Sequence, residues 1–256
     1  MSALEEIVRL GDPQRHAATL AAPEEARAKL WPLYAFNLEI ARAPWVTREP
    51  MIAEMRLQFW ADVMEEIAAG KPPRAHEVAQ PLAELWRTEG LPVELGHAMI
   101  AARRWDIHRE PFADSAALWA HLDASNGHLM WLAAQVLGAG PEAEASVRAM
   151  GQASGLANWL LAVPELRARG CPALPDEGDA AIAALARDGL ARLAQARAGR
   201  HVVPGTASPA LLAGWQAGPV LRCAAKSPDL VNSGGLEQSE FARRGQLLLR
   251  ALWGRW

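Results

Sequence analysis

Apolar side chains recur along this chain at steps of three and four residues. Leu57, Trp60, Met64 and Ile67 show the spacing most clearly. Because an α-helix turns once in about 3.6 residues, this spacing places all four side chains on one face, which the fold then buries. Comparable patterns cover most of the chain, and Pro, Gly or Asp stands at nearly every junction. The pattern predicts a protein built of helices.

The composition also favours an all-α fold. Ala, Leu and Arg dominate, whereas the β-favouring Val, Ile, Thr and Tyr are sparse, with 1 Tyr in 256 residues. This length is near the upper limit for one hydrophobic core, and no linker-like stretch divides the chain. We therefore expect one all-α domain over residues 1–256.

Breaks in the apolar pattern give the expected helix boundaries. Pro32 falls inside one predicted helix and indicates a kink or a break there. Loops are expected at residues 170–178, at residues 201–209 and from Pro228 to Gly235. The predicted helices cover residues 2–10, 26–43, the segment between Pro50 and Gly70, and residues 76–88, 92–106, 115–137, 141–163, 179–198, 210–225 and 238–253.

The charge balance disfavours nucleic acid as a partner. Lys and Arg number 26 against 29 Asp and Glu, a net charge of −3. The first residues carry Glu5 and Glu6 and no signal-like apolar stretch, and no run approaches the roughly 20 apolar residues of a membrane span, so we expect a cytoplasmic protein. Cys171 and Cys223 are expected to be free thiols.

Two groups of residues could carry chemistry but have simpler explanations. Eleven Trp residues could line an apolar cavity between helices, although core packing explains most of them. Asp62, Glu65 and Glu66 have the spacing of a divalent-cation site on one helix face. They mostly point away from the buried side, so a solvated face is favoured.

Known metal and nucleotide motifs are missing from the sequence. His121 and His128 lie two turns apart with Asp123 between them, but no third ligand follows at a recognisable zinc spacing. No serine nucleophile elbow, phosphate-binding glycine loop or dinucleotide fingerprint occurs. The residues alone therefore predict a helical domain without a specific chemistry.

Two stretches of the chain resemble the squalene/phytoene synthase family. Residues 33–60 read LYAFNLEIARAPWVTREPMIAEMRLQFW, and residues 151–175 read GQASGLANWLLAVPELRARGCPALP. The likeness is strongest over residues 12–175, and residues 176–256 would supply further helices of the same domain. The resemblance implies an isoprenoid-synthase-like helical bundle around a central cavity. It also implies that aspartates on two facing helices hold magnesium while two prenyl diphosphates are joined.

The chain departs from the family at both acidic motifs. The pattern D-D-x-x-D falls on Ala41, Arg42 and Trp45, none of which ligates magnesium. The second pattern, D-x-x-E-D, falls on Ala162, Glu165 and Leu166, so that one acid remains. An arginine within the first site would repel the cation, and we therefore expect no magnesium cofactor and no metal-dependent condensation.

Two functions remain open on these grounds. One is a catalytically degenerate family member that binds an isoprenoid, another lipid or a protein partner. The motif F-N-L-E-I-A followed by R-L-Q-F-W resembles the sequences of a family branch whose mitochondrial members act in assembling respiratory complex I. The alternative is an active prenyltransferase with altered ligands, for which magnesium would be expected. Its candidate ligand-binding residues are Arg42 and Arg169 for diphosphate, with Asn37, Glu39, Asn158 and Glu165 as polar contacts. Each of the six could instead be a surface ion pair, a cap or an ordinary helix polar group.

The predicted C-terminal helix could touch a membrane surface. Arg250 and Arg255 flank its apolar residues, and basic residues beside an apolar face are typical of interfacial helices. The alternative is an ordinary terminal helix that packs on the core. The apolar residues concerned are Leu247, Leu248, Leu249, Leu252, Trp253 and Trp256.

Overall fold

A computed structural model describes residues 1–47, 49–253 and 256, and over these residues the protein is helical without a strand. This confirms the all-α prediction. Fourteen α-helices occur in the described part of the chain. They are α1 (Ala3–Gly11), α2 (Pro13–Thr19), α3 (Glu24–Arg42), α4 (Pro50–Ala68), α5 (Ala79–Glu89), α6 (Val93–His108), α7 (Ser115–Leu122), α8 (His128–Gln135), α9 (Glu144–Ala168), α10 (Asp179–Ala198), α11 (Ser208–Leu212), α12 (Ala217–Lys226), α13 (Asp229–Ser233) and α14 (Glu240–Leu252).

Local chemistry explains several of the helix boundaries. The Asp12 carboxylate accepts a 2.9 Å hydrogen bond from the backbone N–H of Arg15 and so caps α2, which begins at Pro13. α5 ends at Gly90, whose φ of 63° is a left-handed conformation that glycine adopts at little cost. Among the helices in the described ranges, none is long and apolar enough to cross a bilayer.

Observed and predicted helices agree where the apolar period is uninterrupted. α10 has the predicted bounds. α3 continues through Pro32, which confirms the predicted helix over residues 26–43 and excludes a break at the proline. Residues on both sides of Pro32 are buried, and their packing outweighs the hydrogen bond that proline cannot donate. α9 likewise continues past its predicted end at Val163, through Pro164.

Three predicted boundaries differ from the structure. The segment 115–137 is divided by a π-helical turn, Asp123–Gly127, between α7 and α8. The segment 210–225 is divided near Gly214 into α11 and α12. α13 lies within the predicted loop at Pro228–Gly235, because four or five residues carry too little periodicity to be recognised.

α9 occupies the centre of the helix packing. It contacts α8, α10, α12 and the π-helical turn. Gly151 and Gly155 let this turn approach closely, since a Cβ added to Gly151 would lie 2.7 Å from the main-chain oxygen of Asn126. Glycine at this position therefore sets the separation between α9 and the turn.

The tryptophans and the cysteines lie largely as the sequence predicts. Trp60, Trp86, Trp119, Trp131 and Trp159 are buried, which confirms the core interpretation for these five. Both cysteines are free thiols in the structure. The acidic face of α4 is partly solvated, and two of its three acids form ion pairs with one arginine outside the helix.

We predict that Gly151→Ala destabilises the protein. The added methyl group would meet backbone atoms of Asn126 and Gly127, which cannot rotate away. Overpacking of this kind costs about 1–3 kcal/mol, measured as the loss in free energy of unfolding in urea. Gly245→Ala on α14 is the matched control, because its added methyl group has no atom within 4 Å and should be neutral or stabilising. Equal effects of the two substitutions would contradict the packing argument.

Candidate functional site

Trp45 lies in the turn that follows α3 and contacts two arginines. Its ring centroid is 5.2 Å from the guanidinium carbon of Arg109 and 4.8 Å from that of Arg169. Both distances are within the range of cation–π attraction, which favours a cation over the face of an indole ring. Trp45, which the family resemblance predicts at the last position of the first acidic motif, is therefore covered by two positively charged groups.

Arg109 joins the ends of two helices at this place. It caps the C-terminus of α6 with a φ of 57°, the only positive φ of a non-glycine residue in the described part of the chain. Its guanidinium donates a 3.2 Å hydrogen bond to the main-chain oxygen of Arg169. Arg169 in turn forms an ion pair with Glu165 at the end of α9. The ends of α6 and α9 and the turn after α3 thus meet around Trp45.

A cleft of about 650 Å³ opens beside this contact, and we refer to it as the Trp45 cleft. Its polar side chains are those of Thr47, Glu49, Arg109 and Arg169. The remaining lining residues are Pro44, Trp45, Pro50, Ala53, Ile107 and Ala168. Two arginines against one carboxylate make the cleft more suitable for an anion than for a cation.

A second cleft, of about 390 Å³, lies along the middle of α9, and we refer to it as the α9 cleft. Asp12 and Arg15 face each other there, with 2.9 Å between carboxylate oxygen and guanidinium nitrogen. Arg15 also lies 4.9 Å from the ring centroid of Tyr34. Burial is the largest single influence and would lower the pKa of Arg15, but the charges of Asp12 and Tyr34 and the hydrogen bonds to them together outweigh it and raise the pKa. Asn158 and Ala162 of α9 line the same cleft.

The six candidate ligand-binding residues do not converge on one place. Asn158 is exposed in the α9 cleft, and Arg169 lines the Trp45 cleft. Glu165 forms an ion pair with Arg169 but is not itself a lining residue of that cleft. The other three are not among the lining residues of either cleft. Asn37 is buried on α3, Glu39 is half-buried, and exposed Arg42 lies against Gly11. Their role as ligand-binding residues stays a prediction.

Sequence reasoning missed Arg109, which contributes as much to the Trp45 contact as Arg169 does. Arg109 is separated from Arg169 by 60 residues, and it belongs to no pattern in the sequence. The sequence signal for Arg109 is its position near the end of a predicted helix, shortly before Pro111. This position predicts a helix cap but not a contact with a distant aromatic ring.

An aromatic cluster fills the space between α6, α7 and α9. It consists of Trp105, Phe112, His121 and Trp159, whose ring centroids are 4.5–5.8 Å apart. The indole N–H of Trp159 donates a 2.7 Å hydrogen bond to the main-chain oxygen of Ala173. Burial, with a smaller effect of the Arg103 charge, lowers the pKa of His121 to about 3. His121 is thus a neutral packing residue at ordinary pH.

His121, Asp123 and His128, which the sequence offers for a zinc site, have other surroundings in the structure. Asp123 forms an ion pair with Arg148 and accepts a 2.8 Å hydrogen bond from Gln152. Burial lowers the pKa of His128, against the attraction of Asp123. Within residues 1–47, 49–253 and 256, no group of three or more His, Cys, Asp or Glu side chains could hold a metal ion.

Comparison with known proteins identifies the family. The model of the family described as "Squalene/phytoene synthase" matches residues 8–178. The chain belongs to this family. This confirms the resemblance seen in the two quoted stretches.

The curated relatives carry the name of an assembly factor. "NADH dehydrogenase (ubiquinone) complex I, assembly factor 6" of Homo sapiens is 27% identical over 164 residues, which are 62% of this chain and 48% of that protein. The Drosophila melanogaster homolog of this factor is 29% identical over 178 residues, covering 67% of this chain and 53% of that protein. The chain thus spans about half the length of the curated relatives it matches.

Solved structures of two synthases share the fold. A dehydrosqualene synthase in complex with ligand superposes with a TM-score of 0.81 at 14% identity, covering 98% of this chain and 94% of the other. A squalene synthase from Alicyclobacillus acidocaldarius gives a TM-score of 0.76 at 17% identity, with 88% and 92% covered. At such identities the likeness establishes the fold alone.

We predict that His121 makes the protein less stable as the pH falls. The unfolded chain binds a proton at His121 below about pH 6.5, whereas the folded state excludes it until about pH 3. Acid therefore favours the unfolded state in this window, by up to about 1.4 kcal/mol per pH unit. In His121→Leu this contribution is absent, so the stability advantage of the wild type should shrink on acidification, measured by urea unfolding across the window. The prediction would be wrong if the difference in unfolding free energy between the wild type and His121→Leu did not change with pH, and if His121→Phe gave the same result.

We predict that Trp45→Leu destabilises the protein by about 1–2 kcal/mol, since two cation–π contacts of about 0.5–1 kcal/mol each are lost. A double-mutant cycle of Trp45→Leu with Arg169→Met should give a coupling energy of about 0.5–1 kcal/mol. EDTA should leave the melting temperature of the wild type unchanged. Additive effects of the two substitutions would mean that the ring and the guanidinium do not stabilise each other.

Proposed function

We propose that this protein uses the family's helical scaffold to bind a partner and does not carry out magnesium-dependent condensation of prenyl diphosphates. The favoured partner is a protein that takes part in assembling a respiratory complex. We place this role in the cytoplasm or at a membrane surface.

The observation that carries the proposal is the contact of Trp45 with Arg109 and Arg169. An acidic motif works by holding divalent cations that neutralise the leaving diphosphate. Here the corresponding turn presents an aromatic ring covered by two guanidinium groups. A magnesium ion at this position would be repelled by both guanidinium groups. Among the described residues that line the Trp45 cleft, no buried carboxylate offsets this repulsion.

The side chains at the remaining motif positions do not fit magnesium either. Ala41, Ala162 and Leu166 have no oxygen to offer, and Arg42 is a cation. Glu165 is the one acid at these positions, and its carboxylate is already paired with Arg169. Magnesium prefers several oxygen ligands in octahedral geometry, so a single engaged carboxylate would hold it poorly.

The relatives support a protein partner over a ligand enclosed in the core. Five curated relatives carry the name of a complex I assembly factor or of its homolog, and the human and Drosophila matches cover 62% and 67% of this chain. The aromatic cluster fills the space between α6, α7 and α9 with packed rings, which leaves no room for a ligand within the cluster. An isoprenoid or another lipid remains a second kind of ligand in the proposal, held in one of the open clefts.

The first test is enzymatic. Incubation with Mg²⁺ and farnesyl or geranylgeranyl diphosphate should give no coupled product, while a dehydrosqualene synthase assayed in parallel should give one. Turnover that Glu165→Gln abolishes would overturn the proposal, because Glu165 is the last acid available to a metal-dependent mechanism.

The second test is cellular. Deleting the gene in the source organism should reduce the amount of assembled NADH:ubiquinone oxidoreductase on native gels, and both the wild type and Glu165→Gln should restore it. A binding role tolerates this isosteric change at an exposed position, whereas a catalytic role would not. Unchanged assembly after deletion would contradict the proposed partner.

One observation favours the alternative of an active prenyltransferase with altered ligands. Arg109 and Arg169 lie in one open cleft, and guanidinium groups suit diphosphate oxygens. Calorimetric titration with inorganic diphosphate in EDTA separates the two functions. Affinity that disappears in Arg169→Gln and Arg42→Ala but persists in Arg87→Gln would favour the alternative. We expect no measurable affinity in the wild type.

A further inference from the structure

The outer face of α14 is a stripe of exposed apolar side chains. Phe241, Leu248 and Leu252 are 91%, 59% and 70% exposed, and their spacing of seven and four residues puts them on one side of the helix. Leu249 and Trp253, 51% and 68% exposed, lie beside this stripe. An apolar face of this extent is unusual on a protein surface and indicates a binding surface.

The inner face of α14 packs against the rest of the protein. Leu247 and Ala251 pack against a small core of Ala18, Leu212 and Trp215. The helix therefore docks on the protein, as the simpler of the two sequence interpretations predicts, and still presents five large apolar side chains outward. Docking on the core does not account for these five.

A cleft rich in arginine adjoins the exposed stripe. This arginine cleft has a volume of about 490 Å³, and Leu249 and Trp253 belong both to its wall and to the apolar face. No Asp or Glu is among its lining residues. Its lining comprises Arg197, Arg200, Pro219, Arg222, Gln246, Leu249, Arg250, Trp253 and Trp256.

Three of these arginines form no ion pair with any of the described residues. They are Arg197, Arg222 and Arg250. Arg200 donates a 2.6 Å hydrogen bond to the main-chain oxygen of Trp256 and lies 4.6 Å from the centroid of its ring. Positive charge is thus concentrated at one place on a chain whose net charge is −3.

Burial and mutual repulsion both act on the arginines of this cleft. Burial and the neighbouring guanidinium groups lower the pKa of both Arg197 and Arg250. Arginine stays protonated in spite of such a shift, so the repulsion persists until an anion enters. A group with several acceptor oxygens, such as a phosphate, would relieve this repulsion for several arginines together.

We propose that α14 and the arginine cleft together dock the protein on an anionic membrane surface. The apolar stripe enters the boundary between headgroups and acyl chains, and the arginines bind lipid phosphates beside it. This combination of an apolar face and a basic rim fits an anionic bilayer better than a neutral one. Arg255, which the sequence placed at the flank of this helix, lies outside the described residues.

The test is flotation of the full-length protein with vesicles of phosphatidylcholine, with and without phosphatidylglycerol. The wild type should float with the anionic vesicles and much less with the neutral ones. Arg197→Gln combined with Arg222→Gln should weaken binding about 25-fold, since each basic residue at a membrane surface contributes a factor of about five. The matched control, Arg9→Gln with Arg87→Gln, removes the same charge from ion-paired sites on α1 and α5 and should bind like the wild type.

The apolar part of the surface is tested in the same way. Leu248→Ser with Leu252→Ser should weaken flotation about tenfold for each leucine. Met51→Ser with Met55→Ser on α4, where the side chains are 75% and 66% exposed, is the control and should have no effect. Circular dichroism checks that all variants fold.

Three outcomes would overturn the proposal. The first is no flotation by the folded wild type, and the second is equal flotation with both vesicle types. The third is a wild-type dimer in light scattering that Leu248→Ser with Leu252→Ser dissociates, since α14 would then be covered by a second copy of the chain.

Discussion

The close approach of α9 to the π-helical turn is the constraint on which the rest of the structure depends. Glycine at 151 and 155 permits this approach, because any side chain there would meet the turn. Because this contact fixes the position of one face of α9, it also fixes the directions in which the other residues of the helix point. Trp159 then enters the aromatic cluster, Asn158 and Ala162 face the α9 cleft, and the end of the helix brings Arg169 to Trp45.

Much of the fold can be predicted from local sequence signals, and the misses have physical causes. The uninterrupted apolar period of α10 predicts its bounds correctly. α3 shows that the packing of buried neighbours can maintain a helix through Pro32. The π-helical turn Asp123–Gly127 leaves no mark on hydrophobic periodicity, because it changes the hydrogen bonding without changing the polarity of the residues. Such turns depend on tertiary packing, which a single sequence does not display.

The candidate site was predictable only in part. The family resemblance predicts Trp45 at a position where an acid is expected, Glu165 as a retained acid and Arg169 as an anion ligand. It could not show that Arg169 faces Trp45, nor that Arg109 arrives from the end of α6 to do the same. Contacts between residues so distant in sequence arise from the packing of whole helices, and the left-handed backbone of Arg109 is itself a product of that packing.

Trp45 is coupled through this geometry to the ends of two other helices. In the family pattern, metal ions held by acids on two facing helices would join the ends of those helices. In this chain Trp45 and Arg169 join the corresponding ends directly, and Arg109 ties in a third. Replacing an acid by alanine alone would leave an open gap, whereas tryptophan fills it and attracts the arginines. A joint of this kind needs no ion, so these helix ends can be held together without a bound metal, as the proposed binding role requires.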